Sequence, residues 1–184
     1  MGLQIGNIVP RKAIELSELK GKYIAIDAFN VIYQFLSSIR QQDGTPLMDS
    51  KKRITSHLSG LFYRNVNLLQ EGIKLVYVFD GKMPELKNKT HELRKEAKDL
   101  AREKYEQARQ EEDIESMRKY SQQLAKLTPE IKQESIELLT ALGIPCIIAP
   151  SEAEAQASFL VKKGNGYAIA SQDYDSLLFK APKI

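Results

Sequence analysis

The fold is decided by Leu-Val-Tyr-Val-Phe-Asp-Gly, residues 75–81, which is the clearest strand pattern in this chain of 184 residues. An apolar run rich in β-branched and aromatic residues is typical of a buried strand, and the Asp-Gly pair that ends it is typical of a turn. Shorter apolar runs at 23–26, 146–148 and 167–170 repeat the pattern, and Asp27 ends the first of them. These segments predict four strands.

Amphipathic segments separate the predicted strands. Apolar residues at helical spacing predict one helix that is capped at Asp49 or Ser50 and ends before Gly72: Ile54, Leu58, Leu61, Phe62 and Leu69. Two further helices are predicted to start at Thr128, with a proline at the next position, and at Ser151. Because strands that alternate with helices imply right-handed crossovers, we predict an α/β fold with a parallel-stranded central sheet flanked by helices.

The composition excludes several classes of protein. One cysteine, Cys146, cannot form an internal disulfide or a Cys-rich zinc site, and two histidines, His57 and His91, disfavour a histidine-based metal centre. A net charge of +3 with 42% hydrophobic residues is typical of a globular protein rather than a disordered or histone-like one. The sequence has no signal-peptide pattern and no apolar run near the roughly 20 residues that span a bilayer. We therefore expect an intracellular protein without a membrane partner.

Acidic residues follow the predicted strands: Asp27, Asp80, Glu152, Glu154, Asp173 and Asp175. Taken singly, an Asp after a strand is often a turn former, and Ser151 with Glu154 fits an S-x-x-E capping box. A parallel sheet brings all six to one edge, where ligands of open α/β sheets bind, and their repulsion opposes folding unless cations offset it. Oxygen ligands favour Mg²⁺ or Mn²⁺, and two such ions catalyse phosphoryl displacement. The cluster thus predicts a two-metal site, which together with the basic helix residues described next indicates a nuclease, although an Asp-x-Asp pair alone also serves glycosyltransferases.

One segment, about 82–127, breaks the alternation, since it has few apolar residues and many charges of both signs. A solvated helical hairpin laced with ion pairs is one interpretation. At roughly 100° per residue, however, four basic residues share one side of a helix, the basic stripe, and four acids share the other. The stripe is Lys87, Arg94, Lys98 and Arg102, and the acids are Glu92, Glu96, Asp99 and Glu103. A one-sided stripe suits a polyanion, because each neutralised phosphate releases counterions.

Longer ordered motifs give the sequence a specific resemblance. They are Ala-Ile-Asp-Ala at 25–28 with Ile-Tyr-Gln-Phe-Leu at 32–36, Thr-Ser-His-Leu at 55–58 with Phe-Tyr-Arg at 62–64, Val-Tyr-Val-Phe-Asp-Gly-Lys at 76–82, Gly-Ile-Pro at 143–145, Ala-Pro-Ser-Glu-Ala-Glu-Ala at 149–155 and Ala-Ser-Gln-Asp-Tyr-Asp-Ser-Leu-Leu at 170–178. On these motifs the chain resembles, over essentially all of its length, the N-terminal part of archaeal or eukaryotic-type flap endonucleases.

The resemblance implies a PIN-like 5′-nuclease fold and a Mg²⁺-dependent nuclease that cleaves 5′ flaps of branched DNA in replication and repair. The six carboxylates would bind two Mg²⁺ ions, which Mn²⁺ can replace. Lys87 and Arg94 would reach the scissile phosphate from a helical gateway formed by 82–127, and Tyr33 would stack on a flanking base. The other residues that the resemblance assigns to DNA binding are Gly2, through its amine once Met1 is removed, Thr55 and Arg64 around a 3′-flap pocket, Arg40, Lys98 and Arg102.

The family is longer than this sequence, with a further metal-binding Asp, a module that grips duplex DNA and a C-terminal peptide that binds the sliding clamp. We therefore expect residues 1–184 to be one truncated nuclease core, monomeric, working in the cytoplasm of an archaeon or the nucleus of a eukaryote. Two alternatives remain: a PIN-type metal-dependent ribonuclease, which fits the length but not the charged insert, and a DNA-binding fragment impaired in catalysis. We also expect Asp80→Ala to abolish cleavage and leave the fold intact.

Overall fold

A computed structural model describes residues 5–82 and 88–184, except for the side chains of 88–94. Its centre is a four-stranded parallel sheet with the strand order β3-β2-β1-β4. The strands are β1 (Tyr23–Asp27), β2 (Lys74–Phe79), β3 (Cys146–Ile148) and β4 (Ala168–Ala170). The predicted α/β class and the parallel sheet are therefore confirmed, and the four strands lie within a residue or two of their predicted positions.

Six α-helices lie between the strands in the described part of the chain. They are α1 (Ala28–Ser38), α2 (Ser56–Gln70), α3 (Asn88–Gln110), α4 (Ile114–Gln123), α5 (Pro129–Ala141) and α6 (Ala153–Lys162), with short 3-10 turns at Leu16–Leu19 and Asp175–Leu177. The predicted start of α5 is confirmed, since the Thr128 hydroxyl accepts a hydrogen bond from the Ile131 amide at 3.3 Å. None of the described helices is long and apolar enough to cross a lipid bilayer.

The predicted start of α2 was wrong, because the helix begins at Ser56 and not after Asp49 or Ser50. The Asp49 carboxylate instead accepts hydrogen bonds from the Lys51 and Arg53 amides, both at 2.9 Å, and so closes a local turn. Short Asp side chains favour such turns over helix starts when the chain must reverse direction. Ile54 consequently lies in a bridge with Met48 rather than in the helix.

The strand order creates a switch point between β1 and β4. From β1 the chain adds β2 and β3 on one side, and then crosses to place β4 on the other side of β1. At such a point the connections leave the sheet in opposite directions, and a crevice opens beyond the carboxyl ends of the strands. The residues that follow β1 and β4 therefore border the place where open α/β sheets bind ligands.

Helix α6 covers the sheet through small side chains. Ala153 and Ala157 are buried in one cluster with Ala25, Val78 and Ile169 from three of the strands. Methyl groups on the helix allow its backbone to lie close to the sheet, and burial of the apolar strand residues stabilises that arrangement. This packing fixes the first turn of α6 beside the strand ends.

The described residues fall into two compact units. The first, here called the sheet unit, comprises the described parts of Met1–Val31, Phe62–Met83 and Ile136–Ile184, and it contains the whole sheet and α6. The second, the helical unit, comprises those of Ile32–Leu61 and Pro84–Ser135, and it contains α3 and α4. These two helices cover the described part of the charged segment that the sequence singled out.

Candidate metal centre and nucleic-acid-binding residues

The predicted metal-binding carboxylates all lie in the sheet unit, at or beyond the carboxyl ends of its strands. In the order β1, β2, β3 and β4 they are Asp27, Asp80, Glu152 with Glu154, and Asp173 with Asp175. A parallel sheet brings the ends of distant segments together in this way because all its strands run in one direction. The structure thus places the six residues where the strand pattern predicted, and their role as metal ligands remains a prediction.

Asp27, at the end of β1, is a buried carboxyl group with a raised pKa. Its side chain is buried, and burial raises its pKa from 3.8 to about 6, with further upward contributions from the charges of Asp80 and Asp173. Hydrogen bonds from the amides of Asn30 and Phe29 act in the opposite direction. Burial is the largest of these causes, and the charges of Asp80 and Asp173, which follow two other strands, both lie within electrostatic range of Asp27.

Asn30 connects two of the acidic groups, although nothing in its local sequence pattern distinguishes it. Its backbone amide donates to Asp27 Oδ1 at 3.1 Å, so Asp27 acts as the N-cap of α1. Its side-chain Nδ2 donates to Asp173 Oδ2 at 2.9 Å. One residue in the first turn of α1 therefore spans the switch point between β1 and β4.

Asp80 is held against the start of α6. Its Oδ1 accepts a hydrogen bond from the Ala153 amide at 2.6 Å. The N-cap residue of α6 is Glu152, whose own side chain makes no capping hydrogen bond, and Ser151 lies one position before it. The predicted start of α6 at Ser151 was therefore one residue too early, and a carboxylate from the end of β2 caps the first amide of the helix.

Gly81 explains how the end of β2 can lie so close to the segment before α6. Its amide donates to the Ser151 carbonyl at 2.7 Å. A Cβ atom at Gly81 would clash with the Ala149 carbonyl oxygen, a backbone atom that cannot move aside alone. Glycine is thus required here by close approach, and it sets the position of the neighbouring Asp80.

The donor set fits a hard divalent cation in chemistry. The groups at the strand ends are carboxylate oxygens, which Mg²⁺ and Mn²⁺ prefer, and Asn30 Oδ1 is a buried acceptor without a hydrogen-bond partner in the described part of the chain. Among the described residues, no three His, Cys, Asp or Glu side chains are arranged to hold an ion as they stand. The carboxylates are therefore gathered at one edge without forming a closed ligand shell.

The basic stripe lies in the helical unit. Arg94, Lys98 and Arg102 belong to the continuous helix α3, which begins at Asn88. Lys87 and the side chain of Arg94 lie outside the described residues, as does Gly2. Arg102 Nη1 lies 4.0 Å from Asp99 Oδ1, so one ion pair forms at the margin of the stripe between two largely exposed side chains. Exposed pairs of this kind contribute little to stability, and they leave Arg102 accessible to an anion.

Lys98 is already engaged inside the helical unit. Its Nζ donates to the Ala125 carbonyl, just beyond the end of α4, at 2.8 Å. The same Nζ lies 5.6 Å from the centroid of the Tyr33 ring, a distance typical of a cation–π interaction. Tyr33, which was predicted to stack on a base, is 41% exposed and presents part of its ring to solvent. Lys98 therefore ties α3 both to α4 and to Tyr33.

Three other predicted DNA-binding residues occupy different settings. Arg40 donates from Nε to the Leu36 carbonyl at 3.0 Å and from Nη1 to the Gly44 carbonyl at 2.8 Å, so its guanidinium group closes the end of α1. Thr55 directly precedes α2 in the helical unit. Arg64 belongs to the sheet unit, where it lines a cavity of about 500 Å³.

The motif that contains Thr55 is partly structural. Ser56 Oγ donates to the Ile39 carbonyl at 2.7 Å and accepts from the Leu47 amide at 2.9 Å. His57 is fully buried, and its Nε2 lies 3.1 Å from Glu134 Oε2 in α5, while burial lowers its pKa. These contacts fix the first turn of α2, so Ser56 and His57 have structural roles that require no bound ligand.

Comparison with known proteins gives matches along most of the chain. The model of the XPG N-terminal domain matches residues 4–101, and that of the XPG I-region matches residues 143–184. The flap endonuclease 1 of Pyrococcus furiosus is 59% identical over 184 residues, which are 100% of this chain and 54% of that protein. The chain spans about half the length of the curated relatives it matches.

Solved structures of flap endonucleases and related nucleases also match most of this chain. Flap endonuclease-1 from Methanococcus jannaschii matches with a TM-score of 0.74 and 46% identity, over 98% of this chain and 57% of that chain. The catalytic core of Rad2 in complex with DNA substrate matches with a TM-score of 0.67 and 34% identity, over 92% of this chain and 45% of that chain.

Proposed function

The chain belongs to the XPG family, and on that premise we propose that its sheet edge is the active site of a Mg²⁺-dependent endonuclease that cleaves 5′ flaps of branched DNA. The fold is that of the 5′ nucleases, as the sequence motifs implied. The single observation that carries the proposal is the arrangement of Asp27, Asp80 and Asp173 after three strands of one parallel sheet, where burial and, after it, the charges of Asp80 and Asp173 raise the pKa of Asp27.

The carboxylates at the strand ends would hold the cations, and the charges of Asp80 and Asp173 both act on Asp27. Mg²⁺, when bound, supplies positive charge that polarises a phosphate and lowers the pKa of water. The protein's own contribution is to fix the acceptors, since the Asn30 amides hold Asp27 and Asp173 and the Ala153 amide holds Asp80. Such fixed acceptors cost no rearrangement at the moment of reaction.

The helical unit would supply the contacts to the DNA strand. Lys87, Arg94 and Arg102 would neutralise phosphates, which gives affinity without reading sequence. Tyr33 would stack on a base beside the cleaved bond, since an aromatic ring accepts any base face. Lys98 holds the Tyr33 ring and the end of α4, so we expect it to set the position of the stacking residue more than to bind a phosphate.

We infer that the protein acts as a monomer on chromosomal DNA inside the cell. The support is the family membership together with a DNA-bound relative, the Rad2 catalytic core. A sliding clamp as partner follows only from the family resemblance, and it is proposed for the whole protein rather than for the residues described in this structure.

The proposal is tested by measuring how fast the 184-residue chain cleaves three substrates. They are a labelled 5′-flap DNA, the same duplex without the flap, and single-stranded RNA. Mg²⁺ should support cleavage of the flap substrate near its junction, EDTA should stop it, and the unbranched duplex should be cut far more slowly. Asp173→Asn should abolish the product. Glu71→Gln is the matched control, because Glu71 precedes β2 at the amino ends of the strands, away from the carboxylates.

Two results would overturn the assignment. Faster cleavage of the RNA than of the flap would indicate a PIN-type ribonuclease. Flap binding without product at any Mg²⁺ concentration would indicate a DNA-binding chain that does not catalyse the reaction.

A further inference from the structure

The side chain of Asn30 makes a contact that the helix α1 does not need. Its backbone amide caps α1 through Asp27, a contact that any residue except proline can make. The side chain, in contrast, extends to Asp173, which lies 143 positions later in the chain and follows a different strand. The contact therefore serves the strand ends rather than the helix.

The orientation of the Asn30 amide follows from its partner. A carboxylate only accepts hydrogen bonds, so the group that lies 2.9 Å from Asp173 Oδ2 is the Nδ2 donor, and a flipped amide would place two acceptors against each other. The other amide atom, Oδ1, is thereby fixed as well. It is buried and has no hydrogen-bond partner within the described residues.

An unpaired buried acceptor is unfavourable, and such a group calls for an explanation. The acceptor lies on the residue that joins Asp27 to Asp173 through two hydrogen bonds, at the carboxyl ends of two neighbouring strands. A neutral amide suits this place. A lysine or arginine would neutralise the carboxylates and compete with a cation, whereas a further carboxylate would add repulsion.

We propose that Asn30 is a positioning residue of the metal centre: its Nδ2 holds Asp173 beside Asp27 across the switch point, and its Oδ1 accepts a hydrogen bond from water that accompanies the cation. Hydrated Mg²⁺ keeps several waters when it binds to proteins, and their O–H groups are the donors that Oδ1 lacks. Partners that orient metal ligands in this way commonly change metal affinity by roughly 10- to 100-fold. The inference rests on the proposed function, because it requires a divalent cation at this edge.

The test is the dissociation constant of Mn²⁺, used as the probe and measured by titration calorimetry on the 184-residue chain without DNA. Asn30→Leu keeps the size of the side chain and removes both amide atoms, and we expect it to weaken Mn²⁺ binding by about 10- to 100-fold. Asn30→Gln keeps the amide on a longer stem and should bind more tightly than Asn30→Leu. Asn67→Leu is the control, since Asn67 is an exposed asparagine of α2 in the same unit, and its Mn²⁺ affinity should match that of the unmodified chain.

Asn30→Leu with an unchanged Mn²⁺ dissociation constant would overturn the inference and leave the proposed function standing. Absence of Mn²⁺ binding in the unmodified chain would overturn both. If Asn30→Leu does not fold, the unmodified chain decides the question through its side-chain amide resonances. The Asn30 Hδ2 signals should shift when Mg²⁺ saturates the protein while those of Asn67 stay, and Asn30 signals that do not move would refute the role.

Discussion

Replacing Asp80 tests two functions of one carboxylate separately. Asp80 lies among the acidic groups at the sheet edge, and its Oδ1 also caps the first amide of α6 at 2.6 Å. Alanine removes both the charge and the cap. Asparagine removes only the charge, because its own Oδ1 can still accept from the Ala153 amide.

The difference between the two variants isolates the cap. Both substitutions relieve the same repulsion with Asp27, so that contribution cancels when Asp80→Ala is compared with Asp80→Asn. Loss of a helix cap costs about 1 kcal/mol, within a range of about 0.5 to 2. For a chain of this size, 1 kcal/mol corresponds to about 2–4 °C in Tm. A loss of this size is compatible with the expectation from sequence that Asp80→Ala leaves the fold intact.

The assay is urea unfolding of both variants in EDTA, followed by circular dichroism. Asp80→Ala should unfold at a lower urea concentration than Asp80→Asn by about 0.3–1 M, given a slope of roughly 1–3 kcal/mol per molar urea. Both variants should fail to cleave flap DNA. Coincident unfolding midpoints would refute the reasoning, because they would show that the Asp80–Ala153 bond does not stabilise α6.

Three further predictions follow from single contacts. Because the pKa of Asp27 is about 6 in the folded chain, the free energy of unfolding in EDTA should fall by up to about 3 kcal/mol as the pH rises from about 4 to 7. Urea unfolding should show a weaker pH dependence in Asp27→Asn, and Mg²⁺ at pH 7.5 should restore the stability of the unmodified chain. Lys98→Met should weaken flap-DNA binding by more than the loss of one phosphate contact, because it also frees the Tyr33 ring. Lys95→Met, on the exposed side of α3, should only reduce the number of counterions released on binding, measured from the salt dependence of the dissociation constant, by about one. Gly81→Ala should destabilise the protein by about 1–3 kcal/mol in urea unfolding, where an open site would tolerate the methyl group.

The parts of the site that the sequence predicted are those that depend on local pattern. Residues 75–79 are apolar and end at Asp80, and the same pattern places Asp27 and Asp173 after their own strands. Once the strands are parallel, their ends must share an edge, so the six carboxylates could be placed without any knowledge of side-chain geometry.

The parts that the sequence did not predict depend on contacts between distant segments. Asn30 reads as an ordinary residue of an amphipathic helix, and only the position of Asp173 reveals its bond. The cap of α6 likewise comes from Asp80, 73 positions earlier in the chain, whereas the sequence pattern pointed to the local residue Ser151. Arg40 was assigned from resemblance alone, whereas its hydrogen bonds to two backbone carbonyls show a structural role.

The central claim is that the carboxyl edge of the sheet is a divalent-cation site, and Mn²⁺-induced broadening of backbone amide resonances in the 184-residue chain tests it most directly. Substoichiometric Mn²⁺ should first remove the signals of Ala28, Gly81 and Ala153, which directly follow Asp27, Asp80 and Glu152 in the chain. The signals of Gly72 and Ile73, which precede β2 at the opposite edge, should persist. Broadening that is absent, or that starts at the acidic residues of α3 and α4 instead, would contradict the account.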